Sequence, residues 1–237
     1  MSRLRIERLQ RPGVNAAGIV VDAGGCAAVH GASGSGKTLL LRAIADLDEA
    51  EGEVWLDEQA RSGMSGPQWR QRVGYVAAES YWWGSLVREH AQDWHADQLE
   101  ALGFESAVLD WEVQRLSSGE RQRLAIARTL AGSPSALLLD EPTANLDQKN
   151  TDRVERLIAA WREQTGGCVL WVSHDPAQRS RISDTQLEIR DGNLEQLGTI
   201  ALRAALPAQP PEAEHFEPGF RNPGEPGFLA AHLMAGS

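Results

Sequence analysis

The segment GASGSGKT, residues 31–38, has glycines, a lysine and a hydroxyl residue at the spacing of a phosphate-binding loop. Glycines let successive backbone N–H groups turn inward around an anion, and the helix that follows directs its positive end at the same point. The ammonium group of Lys37 would face the β- and γ-phosphates, and the Thr38 hydroxyl is placed to ligate Mg²⁺. We therefore predict a nucleotide site made of Gly31, Ala32, Ser33, Gly34, Ser35, Gly36, Lys37 and Thr38.

A second segment, LLLDEP at residues 137–142, would bring acidic groups to the same site. Its apolar run is typical of a strand buried in a parallel sheet. Asp140 at the end of that run would direct a carboxylate towards Mg²⁺, and Glu141 would polarise a water for attack on the γ-phosphate. Alone, the segment fits a strand end with two solvated acids equally well; the phosphate loop upstream favours the metal ligand and the catalytic base.

The segment LSSGERQR, residues 116–123, has two interpretations. Ser117 followed by Glu120 is an ordinary capping box at the start of a helix. The segment is also similar to the signature motif of ATP-binding cassette proteins, and it precedes Asp140 with a helix and a strand between them. ANLD at 144–147 and the histidine of WVSHD at 171–175 follow in the order of that family. Five ordered motifs identify the chain as similar to the nucleotide-binding subunit of ABC transporters, in a small bacterial type.

The resemblance implies roles that need a second cassette. Two subunits, as a homodimer or heterodimer, would hold two ATP molecules between them. His174 would hold the γ-phosphate and the attacking water, as a catalytic partner of Glu141. The residues that would act on the ATP of the partner subunit, in trans, are Ser117, Gly119, Glu120 and Asp147.

Three features depart from the family pattern. Ala78 stands where the family has the glutamine that reaches Mg²⁺ and links the site to the permease. No aromatic residue precedes Trp55, so Arg8 or Arg11 would have to stack on adenine. The insert before residue 115 is short. Within it, Trp82 and Trp83 fit either a contact surface for a permease or packing against the sheet.

The order of elements predicts an α/β fold. Short apolar strands alternate with helices, which favours a sheet covered on both faces. The resemblance makes this a P-loop NTPase cassette with a mixed or parallel core sheet, an N-terminal antiparallel β part and a small α-helical insert at about residues 79–120. We expect one ATPase domain over residues 1–205. Residues 206–237 are rich in Pro, Gly and Glu, and we predict a disordered tail.

Composition excludes several classes. The formal net charge of −10 and a pI near 5.1 argue against nucleic-acid binding, which needs a basic surface. The first ten residues lack an apolar segment, so we expect no signal peptide. The sequence contains no run of about 18 apolar residues, so we predict no membrane-spanning helix. Cys26 and Cys168 lie in separate apolar runs and are expected to be buried free thiols.

The function predicted from the sequence is an Mg²⁺-dependent ATPase subunit that powers a separate integral membrane permease, with export as one direction. Such a subunit would lie in the cytoplasm, peripherally on the inner face of the cell membrane. Two other classes stay open. One is a soluble cassette ATPase without a transport role, similar to those of iron–sulfur assembly. The other is a regulatory module that holds ATP without turnover.

Overall fold

The structure, a computed structural model, describes residues 3–199, with only the backbone of Gly198 and Thr199; the predicted tail at 206–237 lies outside the described residues. Ten strands within this range form one sheet: β1 Leu4–Arg11, β2 Val14–Val21, β3 Cys26–Gly31, β4 Glu51–Leu56, β5 Gln59–Ala60, β6 Val73–Val76, β7 Ala136–Asp140, β8 Cys168–Val172, β9 Thr185–Arg190 and β10 Asn193–Thr199. The α-helices of the same range are α1 Lys37–Ile44, α2 Gly66–Arg72, α3 Ala96–Ala101, α4 Ser118–Ala131, α5 Gln148–Thr165 and α6 Pro176–Ile182.

The sheet has a parallel part and an antiparallel part. Its strand order is β5-β4-β1-β2-β10-β9-β3-β8-β7-β6. Strands β9, β3, β8, β7 and β6 are parallel neighbours, whereas β1 pairs antiparallel with β2 and β4. The predicted mixed sheet with an antiparallel N-terminal part is therefore confirmed. The sequence did not predict that the β9–β10 hairpin joins the two parts through the pair Asn193–Asn15.

Both faces of the parallel strands are buried. Successive side chains of a strand point to opposite faces. Leu138 and Leu170 pack on the face that carries α1, while Leu137 and Trp171 pack on the face that carries α4 and α5. This arrangement explains the uninterrupted apolar runs of β7 and β8, since neither face meets water. The carboxyl ends of these strands are consequently fixed by two cores.

Helix α4 begins at the capping box that the sequence predicts. The hydroxyl oxygen of Ser117 accepts a hydrogen bond from the backbone N–H of Glu120 at 3.2 Å, and the carboxylate of Glu120 accepts one from the N–H of Ser117 at 2.8 Å. The helix ends before Gly132. Its buried residues include Leu124, Ile126 and Leu130, so the start of α4 is anchored by packing as well as by its cap.

The insert between β6 and α4 is small and has more 3₁₀ turns than α-helix. Its α-helix α3 has six residues, and three 3₁₀ turns lie at Val87–His90, Ser106–Asp110 and Val113–Arg115. The two neighbouring tryptophans differ. Trp82 is half-buried against the core, whereas the side chain of Trp83 is 61% exposed. Packing therefore describes Trp82, and a contact surface for a permease stays a prediction for Trp83.

Candidate nucleotide-binding site

The phosphate loop joins the end of β3 to the start of α1. Gly34 and Gly36 have φ values of 75° and 105°, which lie in the left-handed region that favours glycine. A Cβ on Gly36 would lie 2.7 Å from the carbonyl oxygen of Gly13. The β1–β2 turn is therefore packed directly against the loop, and glycine is required here for the close approach as well as for the backbone angle.

Several hydrogen-bond donors belong to this loop and the start of α1. The amino terminus of α1 has no side-chain cap, so its first N–H groups are available to an anion. The side chain of Lys37 is largely buried, and its Nζ donates to the carbonyl oxygens of Gly31 at 3.0 Å and Ala32 at 2.9 Å. The hydroxyl of Ser35 is buried without a partner. This donor set fits a phosphate group.

The predicted metal ligands lie side by side. The hydroxyl of Thr38 donates to the Oδ2 atom of Asp140 at 2.8 Å, and Asp140 is only 3% exposed. Burial raises the pKa of the Asp140 carboxyl, and the hydrogen bonds from Thr38 and Tyr75 oppose that rise. A buried carboxylate beside a hydroxyl is a pair of hard oxygen donors, which suits Mg²⁺.

Tyr75 contributes to this site, and the sequence analysis did not assign it a role. Its hydroxyl lies 3.3 Å from the same Oδ2 atom that Thr38 contacts. Burial raises the pKa of the Tyr75 phenol, with a further rise from the negative charge of Asp140. The phenol is thus a neutral donor that orients the carboxylate. No signal in the sequence indicated this contact, because only the sheet shows that β6 lies next to β7.

The predicted catalytic base and its histidine meet at the edge of the loop. Glu141 follows β7, His174 follows β8, and the Oε1 of Glu141 lies 2.9 Å from the Nε2 of His174. Glu141 has a φ of 48°, an uncommon value for a residue with a side chain. Its carbonyl oxygen accepts a hydrogen bond from the N–H of Ala144 at 3.2 Å, which closes a turn. The structure therefore brings Glu141 and His174 together.

The predicted in-trans residues lie on a separate surface. Ser117 and Asp147 are exposed, and a Cβ on Gly119 would lie 3.1 Å from the side chain of Leu146. The hydrogen bonds from the backbone and hydroxyl of Ser117 lower the pKa of the Glu120 carboxyl. The carboxylate of Asp147 accepts from the N–H of Asn150 at 2.8 Å, as the cap of α5. These four residues border the outside of the fold, where a second molecule has access to them.

The arginines expected to replace an aromatic residue have other partners. Arg11 lies 2.7 Å from the carboxylate of Asp48, which also accepts two bonds from Arg42 at 2.7 and 2.9 Å. These arginines hold the pKa of Asp48 well below its usual range. Arg8 donates to the side chain of Gln10 at 2.8 Å. Neither guanidinium is positioned freely for stacking in this structure.

Ala78 lies in an exposed loop that α4 holds in place. The side-chain amide of Gln122 on α4 donates to the carbonyl oxygen of Ala77 at 3.0 Å, and its oxygen accepts from the hydroxyl of Ser80 at 3.3 Å. The backbone around the position of the missing glutamine is therefore fixed by α4. The side chains of Ala78 and Glu79 are exposed.

The part of the chain that contains the phosphate loop and the acidic strand end matches a known family. The family profile described as ABC transporter covers residues 14–144. The chain belongs to the ABC transporter family. None of the helices between residues 3 and 199 has the length and apolarity needed to cross a lipid bilayer.

Curated relatives of the chain are ATP-binding proteins of importers. It is 36% identical over 196 residues to the molybdenum import ATP-binding protein ModC of Aromatoleum aromaticum, which covers 74% of this chain and 51% of that protein. It is 34% identical over 202 residues to the sulfate/thiosulfate import ATP-binding protein CysA of Xanthomonas campestris, with 77% and 58% covered. The chain thus spans about half the length of the curated relatives it matches.

Solved structures confirm the fold of this family member. A bacterial Atm1-family ABC exporter with ATP bound superposes with a TM-score of 0.70 at 24% identity, over 82% of this chain and 38% of that one. The dimeric ATP-binding cassette MJ0796, in a post-hydrolysis state with ADP and Pi, gives 0.68 at 24% identity, over 84% and 100%. The P-loop cassette fold expected from the sequence is therefore confirmed.

Proposed function

We propose that the chain is the ATP-binding and hydrolysing subunit of an ABC transporter and that it works with a separate membrane permease. The observation that carries this proposal is the contact between Glu141 and His174 at 2.9 Å, next to the hydrogen-bonded pair of Thr38 and Asp140. A module that only holds nucleotide has no use for a base and a histidine at that edge. The pair therefore favours turnover over an ATP-holding role.

Each group has a part in the chemistry. Lys37 and the N–H groups of the loop bind the phosphates and orient the γ-phosphate. Thr38 and Asp140 would hold Mg²⁺, which supplies positive charge to the phosphate oxygens. The carboxylate of Glu141 accepts a proton from the attacking water, and His174 orients that water and the γ-phosphate.

A second cassette would complete the site. Ser117 and Asp147 are exposed, and Gly119 and Glu120 are partly exposed. We propose that they contact ATP held by the partner cassette, where the positive end of α4 faces the phosphate. The partner is either a second copy of this chain, in a homodimer, or a different cassette, in a heterodimer. A sandwich of this kind makes dimerisation depend on ATP.

The permease would meet the insert next to β6. The exposed side chain of Trp83 lies there, and Arg128 stacks over both Trp82 and Trp83 at 4.6 and 5.1 Å. An exposed tryptophan on a supported loop suits a protein contact. Such a subunit would lie in the cytoplasm, on the inner face of the cell membrane. Export stays a prediction from the sequence; the ModC and CysA proteins are importers, which favours import.

The proposed function is tested by the assembly state of a Glu141→Gln variant. Loss of the base stops proton transfer but leaves the phosphate loop intact, so ATP·Mg²⁺ is expected to hold the variant as a dimer. Sedimentation velocity with ATP, ADP and no nucleotide measures this. A Lys37→Ala, Glu141→Gln double variant is the control, because it keeps the dimer surface but lacks the phosphate ligand.

Two outcomes would reject the proposal. One is a Glu141→Gln protein that stays monomeric at saturating ATP. The other is a parent protein that releases no phosphate from ATP in the presence of Mg²⁺. A parent that binds ATP tightly without hydrolysis would point to the holding module instead.

A further inference from the structure

A glutamine near Glu141 and His174 has its side-chain amide buried among three polar groups. Gln178 on α6 is 4% exposed. Its Oε1 atom accepts from the hydroxyl of Ser173 at 2.7 Å, and its Nε2 donates to the hydroxyl oxygen of Thr143 at 2.9 Å and to the carboxylate of Glu155 at 2.8 Å. The amide therefore uses its acceptor and both of its donors.

The contacts of Gln178 are adjacent to both catalytic groups. Thr143 stands two residues after Glu141, and Ser173 stands one residue before His174. These segments follow β7 and β8, whose last paired residues are Asp140 and Val172, and the N–H of Glu141 still donates to the carbonyl oxygen of Val172 at 3.2 Å. Beyond that pair, the amide of Gln178 is a direct side-chain bridge between the two segments.

A third element fixes the amide itself. The carboxylate of Glu155 on α5 accepts two bonds from Arg181 on α6, both at 2.7 Å. Glu155 is thus held by a bidentate pair, which has a defined geometry. Gln178 consequently has one rotamer that satisfies all its partners, and its position is set by α5 and α6 together.

Glu141 depends on such a brace because its own backbone is strained. Its φ of 48° is unfavourable for a residue with a Cβ, and the side chains of Glu141 and His174 are 32% and 51% exposed. Because both side chains are this exposed, packing contributes little to holding them in place. Removing the bridge would let the turn at Glu141 relax and would move the base away from the histidine.

We propose that Gln178 is a positioning residue for hydrolysis, which sets the relative placement of Glu141 and His174 through Thr143 and Ser173. The inference rests on the proposed ATPase function. Gln178 does not touch the phosphate loop, so it should affect turnover and leave nucleotide binding unchanged. An amide is required, because a carboxylate would lack the donors to Thr143 and Glu155.

The test compares Gln178→Leu and Gln178→Glu with the parent protein. Gln178→Leu should lower kcat about 10- to 100-fold, the scale of misplacing a catalytic group by about 1 Å. The KM for ATP should stay within about twofold, since the cradle is unchanged. Gln164→Leu on the exposed side of α5 is the matched control, and it should behave like the parent.

The Gln178→Glu variant separates positioning from simple packing. The introduced carboxyl group faces Glu155 and Arg181 directly, and Asp175 and His174 line the same cavity of about 380 Å³. When protonated, that carboxyl has one donor and one acceptor, so it can restore only one of the two donations that the amide makes. The ratio of variant kcat to parent kcat should therefore stay below one, and it should rise as the pH falls through the pKa of the introduced carboxyl.

A measurement independent of turnover follows the same contact. The imidazole ¹⁵N shifts of His174 should change in Gln178→Leu and stay at the parent values in Gln164→Leu. If the parent shows no ATPase activity, the proposed function fails, and these shifts alone decide the positioning role. Unchanged shifts in Gln178→Leu, or a kcat of that variant within about twofold of the parent, would each overturn the inference.

Discussion

The two ends of the nucleotide site are built in different ways. The cradle is a single segment, residues 31–38. Its backbone N–H groups surround the phosphate position, and its glycines allow that backbone conformation. The hydrolytic edge is assembled from the segments after β7 and β8 and from side chains of α5 and α6. Its two catalytic groups, Glu141 and His174, are 33 residues apart in the chain and meet only through the sheet.

This difference predicts different responses to substitution. The cradle is local, so a substitution that damages it should lower the affinity for ATP. The hydrolytic edge is held by side-chain contacts, so Glu141 and His174 can lose their alignment while the cradle stays intact. Such a change should lower kcat. The following substitutions test that division, from the largest expected effect to the smallest.

Lys37→Ala should lower the affinity for ATP about 10- to 100-fold, because a hydrogen bond to a charged group contributes about 1.5–3 kcal/mol. Binding of a fluorescent ATP analogue measures this. Lys149→Ala is the matched control: it is the other lysine of the chain, and it is exposed. The contact of Glu141 with His174 should persist, so the ¹⁵N shifts of His174 should not change. A changed shift would show that the two ends are not independent.

Asp48→Asn tests the support beneath the cradle, where Asp48 ties the β1–β2 hairpin to α1. The depressed pKa of Asp48 means that the folded state favours its charged form. Its contribution is therefore present above the ordinary value near 4 and is lost as the pH falls below it. We expect the free energy of unfolding to drop by about 2 kcal/mol at pH 7, the scale of hydrogen bonds to a charged group.

Urea unfolding of the parent and Asp48→Asn at a series of pH values measures this difference, which should shrink as the solution becomes more acidic than the ordinary pKa. Asp22→Asn is the control, because the carboxylate of Asp22 is 82% exposed beside Arg3. A difference that grows on acidification would contradict the assigned sign.

Ala78→Gln should have the smallest effect, a change in turnover of less than about tenfold, or about 1.4 kcal/mol of barrier. Mg²⁺ readily keeps water ligands, so a water can take the place of the missing amide beside Thr38 and Asp140. Steady-state phosphate release, with Glu141→Gln as the inactive reference, is the measurement. An inert parent that becomes active with Ala78→Gln would show that the edge had been switched off.

Most of the elements that position the site could be predicted from short stretches of sequence. The capping box at Ser117 and Glu120 starts α4 as predicted, and the Asp191-Gly192 pair makes the turn between β9 and β10. Both depend on neighbouring residues alone. The contacts of Tyr75 with Asp140, and of Gln178 with Thr143, join residues 65 and 35 positions apart, and no spacing rule indicates them.

The sequence by itself determined the phosphate loop, the acidic strand end and the histidine, since each is a short motif whose residue types state their chemistry. Only the tertiary structure decided that Trp82 packs while Trp83 is exposed, that Arg11 pairs with Asp48, and that Gln178 bridges the two catalytic segments. The physical reason is that a motif acts through its own backbone, whereas these contacts exist only after the sheet has brought distant strand ends together.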